Sequence, residues 1–550
     1  MMTAITRIAG TIASAIALAA SSGTAWAEAP RLVKQGTATQ LQVQGKPMLL
    51  IAGELGNSSA SSAAYMAPHW KKLRAMHLNT VLAPVSWELI EPQEGKFDWS
   101  SVDAMIRDAR AADLKLVILW FGAWKNSMST YVPDWVKRDQ ARFPRAELPS
   151  GAGVDILSAF SPDMLKADQK AFAALMAHLK AVDDKQNTVL MMQVENEIGM
   201  LPVARDYGPL AQAAFAQPVP ADLVNYLVAH RETLVPAMRQ RWEENGAKTS
   251  GSWTDLFGQG DASAEIFTAW YYARFADQLT AAGKAAYPMP MYVNVALNRP
   301  GRIPGEYPSG GPLPHLLDVW KAGAPAIDFL APDIYFPNFV DIIAGYKRPD
   351  NPLFIPEANN ADHPHVPANA FYAIGKHDAI GFGPFSIEGM DDKPGALGQA
   401  YDVLEQLAPH ILAAQGQGKM SGFKPRVLYD ETVVYEPVTE RIGDYRFTVA
   451  FADIQRPVAT PETGGYGGII IQTGPEDYLI AGQGITVTFQ PVGQGPALAG
   501  IDSAWEGRFD AQGRWVPGRL LNGDQTHQGR HIRLPVGEFS IQKIRLYRYQ

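Results

Sequence analysis

Thr188-Val189-Leu190-Met191-Met192-Gln193-Val194-Glu195-Asn196-Glu197 is an apolar run that ends in two carboxylates and an amide. A run without polar alternation belongs to a strand buried on both faces, the habit of parallel sheets covered by helices. Charged groups closing such a strand are costly unless they face an open site. The stretch therefore reads as a parallel strand whose C-terminal end carries functional groups.

Outward from it, the same unit recurs. Met48–Ala52, Asn79–Val85 and Leu116–Phe121 read as the three strands before it, with Thr188–Val194 as the fourth. Helical patterns separate them: Trp70, Leu73 and Met76, then Val102, Met105, Ile106 and Ala109 at i, i+3, i+4, i+7. Ser161 and Pro162 open a third helix as N-cap and first residue, with Leu165, Phe172, Leu175, Met176 and Leu179 on its buried face. Residues 200–260 form an insertion with a helix near Leu223–Trp242 and a Gly- and Ser-rich stretch, Gly246–Asp261. A long helix, about Ala264–Ala286, resumes the alternation. Four strands follow at Met291–Val295, Ile327–Ala331, Leu353–Pro356 and Ile380–Ser386. Eight strand–helix units from about residue 48 to 415 imply an α/β fold of the closed (β/α)₈ TIM-barrel kind. No Gly-x-Gly-x-x-Gly follows the first strand, which removes the main reason to prefer a dinucleotide fold.

From about residue 418 the helical period fades. Tyr445–Phe451, Gly468–Gln472, Ile485–Phe489, His531–Leu534 and Ile541–Tyr549 are short β-branched and aromatic runs between Gly and Pro turns. They read as an all-β, sandwich-like C-terminal domain. At the other end, Arg7, the apolar Ile8–Ala20 and Ala25-Trp26-Ala27 form an export-signal pattern, too short to span a bilayer. The expected organisation is a signal peptide at 1–27, a barrel at 28–417 and a β-sandwich at 418–550, in an exported protein, periplasmic or secreted.

The net charge of 48 − 56 = −8 argues against nucleic acid or an anionic membrane as partner, and no later segment reads as a membrane span. With no cysteine, thiol chemistry and Cys-based zinc sites are excluded. The eleven histidines are scattered, and His363-Pro364-His365 lacks further ligands at a useful spacing, so neither metal nor cofactor is expected.

In a barrel, reacting groups project from the C-terminal ends of strands. Two positions stand out: Glu197 after the fourth strand and Glu357 after the seventh. Any one strand-end Glu serves as a cap or an ion pair about as often as it serves chemistry. Two of them suit the breaking of a glycosidic bond. That reaction needs a proton for the leaving oxygen and a negative charge beside an oxocarbenium-like transition state. Glu197 is assigned as acid/base and Glu357 as nucleophile. Asn196 is expected to bond the sugar 2-hydroxyl, and Glu195 to point the other way along the strand. Trp87, after the second strand, offers a flat apolar face for a sugar, against an equal expectation of core packing. Tyr335, in Asp333-Ile334-Tyr335, is placed to donate to the nucleophile. Glu54 after the first strand and Glu388 after the eighth are candidates for sugar hydroxyls, with Asn294 and Asn298 weaker ones. Trp253 and Phe257 in the insertion read better as core than as substrate entrance.

Trp87…Glu91-Pro92-x-x-Gly95-x-Phe97 and Gln193-Val194-Glu195-Asn196-Glu197-x-Gly199 resemble glycoside hydrolase family thirty-five, β-galactosidases of the retaining (β/α)₈ clan. The resemblance covers roughly residues 45–415. It implies the same roles for Glu197 and Glu357, with an oligosaccharide or polysaccharide as substrate. It implies an exo-acting β-galactosidase on plant-type glycans, with xyloglucan side chains suggested by bacterial relatives. One departure stands out. Many members carry Cys-Ala-Glu-Trp after the third strand, whose Glu holds galactose, whereas here the place reads Trp120-Phe121-Gly122-Ala123-Trp124-Lys125-Asn126-Ser127. Trp124, Lys125 and Asn126 are the candidate replacements, in a divergent bacterial branch. The rival readings are a glucoside, arabinoside or mannoside hydrolase of the same clan, and a carbohydrate-binding protein on an inactive barrel. The sequence leaves open whether the chain is a monomer or a homo-oligomer.

Overall fold

The computed structural model describes residues 28–391, 395–452 and 465–550, so the expected signal at 1–27 lies outside the described residues. Eight parallel strands form one sheet: β1 (Leu50–Glu54), β2 (Thr80–Ser86), β3 (Lys115–Phe121), β4 (Val189–Gln193), β5 (Met291–Ala296), β6 (Phe329–Ile334), β7 (Glu357–Ala358) and β8 (Gly381–Phe382). Their order is β8-β1-β2-β3-β4-β5-β6-β7. The Ile355–Phe382 bridge, with the Gly383 amide donating to the Ile355 carbonyl at 2.8 Å, joins β7 to β8 and closes a TIM barrel. Pro352 and Pro356 bring no N–H to a ladder. That is why regular pairing in the seventh strand starts at Glu357 rather than over Leu353–Pro356, although Leu353, Phe354 and Ile355 are buried.

The period of two sorts each strand. On β3, Val117, Leu119 and Phe121 point into the barrel, while Leu116, Ile118 and Trp120 meet the helices. The interior is filled by Leu50, Ala52, Leu82, Leu190, Tyr292, Phe329, Phe354 and Ile380, so it is a packed core rather than a pore. Leu41 joins that interior from an antiparallel meander, Arg31–Gln35, Ala38–Val43 and Lys46–Met48. Met48 belongs to this meander, and the first barrel strand starts at Leu50 rather than at Met48. The meander's short strands with buried Thr39 and Gln40 give no clear alternation to read.

In the insertion, the single helix expected over Leu223–Trp242 is two, Ala221–Ala229 and Pro236–Glu244. In mid-helix Pro236 would lack an amide donor and clash with the preceding turn, so it opens the second helix at its first position. Trp253 and Phe257 are fully buried in a one-turn helix capped by Ser252 and Asp255, hence core. The long helix runs Asp261–Ala286.

The C-terminal region is all-β. A six-stranded and a four-stranded antiparallel sheet enclose Phe447, Val449, Ile470, Ile480, Val487, Ile544 and Leu546. The other face of the six-stranded sheet, with Ile469, Ile471, Leu479 and Ile541, joins the barrel core. Contact there is backbone to backbone: a Cβ at Gly422 would lie 2.3 Å from the Phe371 carbonyl oxygen of the helix Val366–His377. No helix among the described residues is long and apolar enough to cross a membrane.

Candidate active site

The end of β4 turns twice through the left-handed region, at Glu195 (φ 61°) and Glu197 (φ 45°), on either side of Asn196. Non-glycine residues hold this conformation only when their surroundings over-determine it. The network is on both sides. Glu195 turns into the core, where its carboxyl accepts from the Trp124 amide at 2.8 Å and the Ala123 amide at 3.3 Å. Asp168 lies beside it and accepts from Trp120 Nε1 at 2.9 Å and the Ala123 amide at 3.0 Å. Glu195 and Asp168 also hydrogen-bond each other, which requires one proton between them. Burial, then the Asp168 charge, pushes Glu195 well above the usual carboxylate range, so Glu195 keeps that proton. Gly122 makes room for the pair, since a Cβ there would sit 2.8 Å from Glu195 Oε1 and 2.9 Å from Asp168 Oδ1.

Toward the mouth, the Glu197 amide donates to Asn294 Oδ1 at 2.9 Å. Asn294 Nδ2 donates to Asp333 Oδ2 at 2.6 Å and to Asn196 Oδ1 at 3.1 Å. Gln193 Nε2 also donates to Asn196 Oδ1, at 2.6 Å, and Asn196 Nδ2 donates to the Lys125 carbonyl at 2.7 Å. Asn196 is thus buried in a network that fixes the Lys125 loop, with one Nδ2 hydrogen left to donate elsewhere. The Lys125 ammonium lies 3.8 Å from Glu197 Oε2, with both side chains mostly buried at 11% and 15% exposure.

Glu357 begins β7 with 7% of its surface exposed, so it is neither sealed nor free in water. The Tyr335 hydroxyl donates to its Oε1, and Glu54 hydrogen-bonds it from the end of β1. Four carboxyl groups, Glu54, Glu197, Asp333 and Glu357, and the Lys125 ammonium act on one another in this region. Burial first, then the charges of Glu357 and Asp333, hold Glu54 well above the usual range. Asp333 is raised in the same way, by burial and then by Glu357 and Glu197. Burial and the Glu357 charge push Glu197 up to about 7, against the pull of Lys125. Burial also raises Glu357, but the Tyr335 bond, Lys125 and the Glu54 bond all oppose it. Burial thus favours the neutral form of Glu54 and Asp333, whereas Tyr335, Lys125 and Glu54 favour the charged form of Glu357. Glu54 Oε2 and Asp333 Oδ1 are buried without a hydrogen-bond partner.

The remaining expected residues fall elsewhere. Trp87 is fully buried, its Nε1 donates to Glu91 Oε2 at 2.7 Å, and its ring packs on Trp120 and Trp135. No face is left for a sugar, which corrects the stacking expectation. Glu91 spends its other oxygen on the Gly95 amide at 2.7 Å, so the Glu-Pro-x-x-Gly motif is a loop lock. Trp124 is buried edge-on against Tyr272 and Phe275 and serves packing. Asn126 closes a turn, accepting from the Met128 amide and the Ser129 hydroxyl. Glu388 clamps the loop after β1, accepting from the Gly56 amide at 2.9 Å and from the Ser59 hydroxyl. Those bonds, rather than sugar hydroxyls, occupy it. Asn298 is half-buried in the loop beyond β5.

Two members of the network escaped the sequence reading. Asp333 is the penultimate residue of β6, close enough to the strand's C-terminal end for the strand-end rule to have pointed to it. Asp168 lies on the apolar stripe between Leu165 and Phe172, where a lone acid signals a buried partner.

Residues 61–255, which contain Glu197 but not Glu357, match the glycoside hydrolase family forty-two model, described as beta-galactosidase. Over that stretch the chain resembles β-galactosidases. Residues 397–533 match a domain of unknown function, beginning inside the last barrel helix, Ala396–Ala414. A beta-galactosidase of Xanthomonas manihotis is 37% identical over 112 residues, 20% of this chain and 18% of that protein. The chain thus spans less than a fifth of this curated relative. Among solved structures, the beta-galactosidase of Rahnella sp. R3 overlaps with a TM-score of 0.45 at 14% identity, over 70% of this chain and 58% of that one. The beta-galactosidase of Marinomonas ef1 gives 0.44 at 12%, over 67% and 60%. The catalytic domain of a Paenibacillus polymyxa beta-amylase gives 0.43 at 12%, over 62% and 94%.

Proposed function

We propose that the protein is an exo-acting retaining β-galactosidase that removes terminal galactose from plant-type oligo- or polysaccharides, with Glu197 as acid/base and Glu357 as nucleophile. The observation that carries this reading is the split between the two carboxyls. Glu197, pushed up to about 7, holds a proton near neutral pH, while burial raises Glu357 too but is opposed there by the Tyr335 bond, Lys125 and the Glu54 bond, all of which favour its carboxylate. In the first step the Glu357 carboxylate attacks the anomeric carbon, the bond to the leaving oxygen breaks, and the Glu197 proton goes to that oxygen. In the second, the Glu197 carboxylate takes a proton from water, the hydroxyl attacks the same carbon, and Glu357 leaves with its bonding pair. Two inversions retain the configuration. Asn196 offers its remaining N–H to the 2-hydroxyl. Glu54 and Asp333 offer their unpartnered oxygens to other hydroxyls, and Lys125 offsets the charge of the cluster.

The family-forty-two match and the β-galactosidase relative support galactose, and the motifs shared with family thirty-five support the clan. Lys125 stands in the segment where family thirty-five carries a galactose-binding Glu. That favours, as a second reading, a retaining glycosidase of the clan with another sugar in the site. Residues 1–27 are proposed as the cleaved signal of an exported protein, with barrel and sandwich parted near residue 417. N-terminal sequencing of the mature chain would then begin at Glu28.

A panel of β-glycosides tests the sugar, and Glu357→Gly tests the chemistry. The variant should lose activity and regain it with azide, releasing a glycosyl azide of inverted configuration. Equal turnover by wild type and variant would refute the assignment.

A further inference from the structure

Among the described residues, a hairpin of the C-terminal region reaches the barrel mouth. Arg426–Val427 pairs antiparallel with Val433–Val434 and projects the loop 428–432. The loop is braced internally: the Leu428 amide donates to the Thr432 carbonyl at 2.9 Å, and the Glu431 amide to the Leu428 carbonyl at 3.0 Å. Its base is fixed to the barrel. The Arg426 guanidinium meets both oxygens of Asp341 at 2.9 and 3.0 Å, on the helix Phe339–Tyr346 that follows β6. Val427 beside it is buried.

At the tip, Tyr429 touches Phe336 edge to face, with ring centroids 5.5 Å apart. Phe336 follows Tyr335, whose hydroxyl donates to Glu357 and whose ring meets Phe385 edge-on. Tyr429 and Tyr335 remain 43% and 42% exposed, in a protein that buries most of its large rings. Three aromatic side chains therefore run from the nucleophile outward, two of them open to solvent and the outermost supplied by the C-terminal region. A pocket closing on a terminal sugar leaves such a ridge to the next ring, since flat apolar faces stack on the C–H face of a pyranose. The charge around the tip selects further. Asp362 and Glu431 both act on His363 beside it, so an anionic sugar would be repelled.

We propose that Tyr429, with Phe336 and the ring of Tyr335, forms the leaving-group subsite, and that it takes a neutral sugar ring. The inference rests on the β-galactosidase reading and deepens it. It gives the C-terminal region a part in substrate choice as well as in bracing the barrel.

The test compares two galactosyl donors, a β-galactosyl-glucose disaccharide and β-galactosyl fluoride, whose leaving group has no ring to stack. For each of wild type, Tyr429→Ala and Tyr429→Phe, kcat/KM on the disaccharide is divided by kcat/KM on the fluoride. Tyr429→Ala should lower the ratio by roughly three- to tenfold, the scale of one aromatic contact. Tyr429→Phe should keep it within about twofold, since stacking needs the ring and not the hydroxyl. An unchanged ratio in Tyr429→Ala overturns the inference alone, as does an equal loss on both donors, the mark of a bracing role. Wild type inert toward both donors overturns the β-galactosidase reading and the subsite with it. Melting curves of the variants separate loss of fold from loss of contact.

Discussion

Replacing Lys125 with Met removes one positive charge and keeps the length of the side chain, so its effect on Glu197 is electrostatic first. The ammonium lies 3.8 Å from Glu197 Oε2. Unit charges about 4 Å apart interact by ~1 kcal/mol in a water-like medium and ~4 kcal/mol at the effective dielectric typical of protein sites. Both side chains are more than four-fifths buried, so little solvent screening reduces this. Since 1.36 kcal/mol is one pKa unit, losing the cation should raise Glu197 by about one to three units. The direction is fixed: Lys125 favours the carboxylate, and without it the protonated form persists to higher pH. In kcat/KM the acid form of Glu197 is required, so the alkaline limb should move from near pH 7 to above pH 8. Lys125 also lowers Glu357, so the acid limb should rise as well and activity at low pH should fall. The assay needs a poor leaving alcohol, such as a sugar, because a nitrophenolate departs with little help from an acid. An alkaline limb that stays put or moves down would refute the placement of Lys125 beside a protonated Glu197.

Three further outcomes follow. Tyr335→Phe removes a hydrogen bond to a charged carboxylate, worth ~1.5–3 kcal/mol; kcat should fall about ten- to hundredfold and the acid limb should move up, because the bond lowers Glu357. An unshifted limb would detach the phenol from the nucleophile. Glu195→Ala strands the buried Trp124 amide, takes one partner from Asp168 and should cost about 2–5 kcal/mol in urea unfolding; a loss under ~1 kcal/mol would deny the lock. Trp87→Ala should cost ~3–5 kcal/mol as a core deletion, with KM of the folded fraction unaltered; a raised KM with normal stability would return Trp87 to the sugar.

The barrel was legible because its strands are continuous apolar runs with helical stripes between them, patterns that depend on burial alone. β2, β3, β4 and β5 fall within two residues of expectation. The seventh strand shifted because proline removes donors without changing hydropathy. The insertion helix split because Pro236 outweighs the apolar period on either side. The strand-end rule found Glu197, Glu357 and Glu54, since a carboxylate closing a buried strand is conspicuous in one dimension. Trp87, Trp124 and Glu388 misled because a side chain's neighbours, not its type, decide between packing and recognition. The Glu91 and Glu388 clamps are bonds to backbone amides of Gly95 and Gly56, which no residue pattern displays. Nor does sequence order reveal that Tyr429, from the far side of the barrel's last helix, comes to rest on Phe336.

Trapping with a 2-deoxy-2-fluoro-β-galactoside bearing a good leaving group, followed by peptide mass spectrometry, addresses the nucleophile itself. Glu357 should carry a single fluorosugar through its carboxylate, and the adduct should decay slowly with return of activity. A label on Glu197 or Glu54, or a first-formed product of inverted configuration, would contradict the division of labour between the two carboxylates.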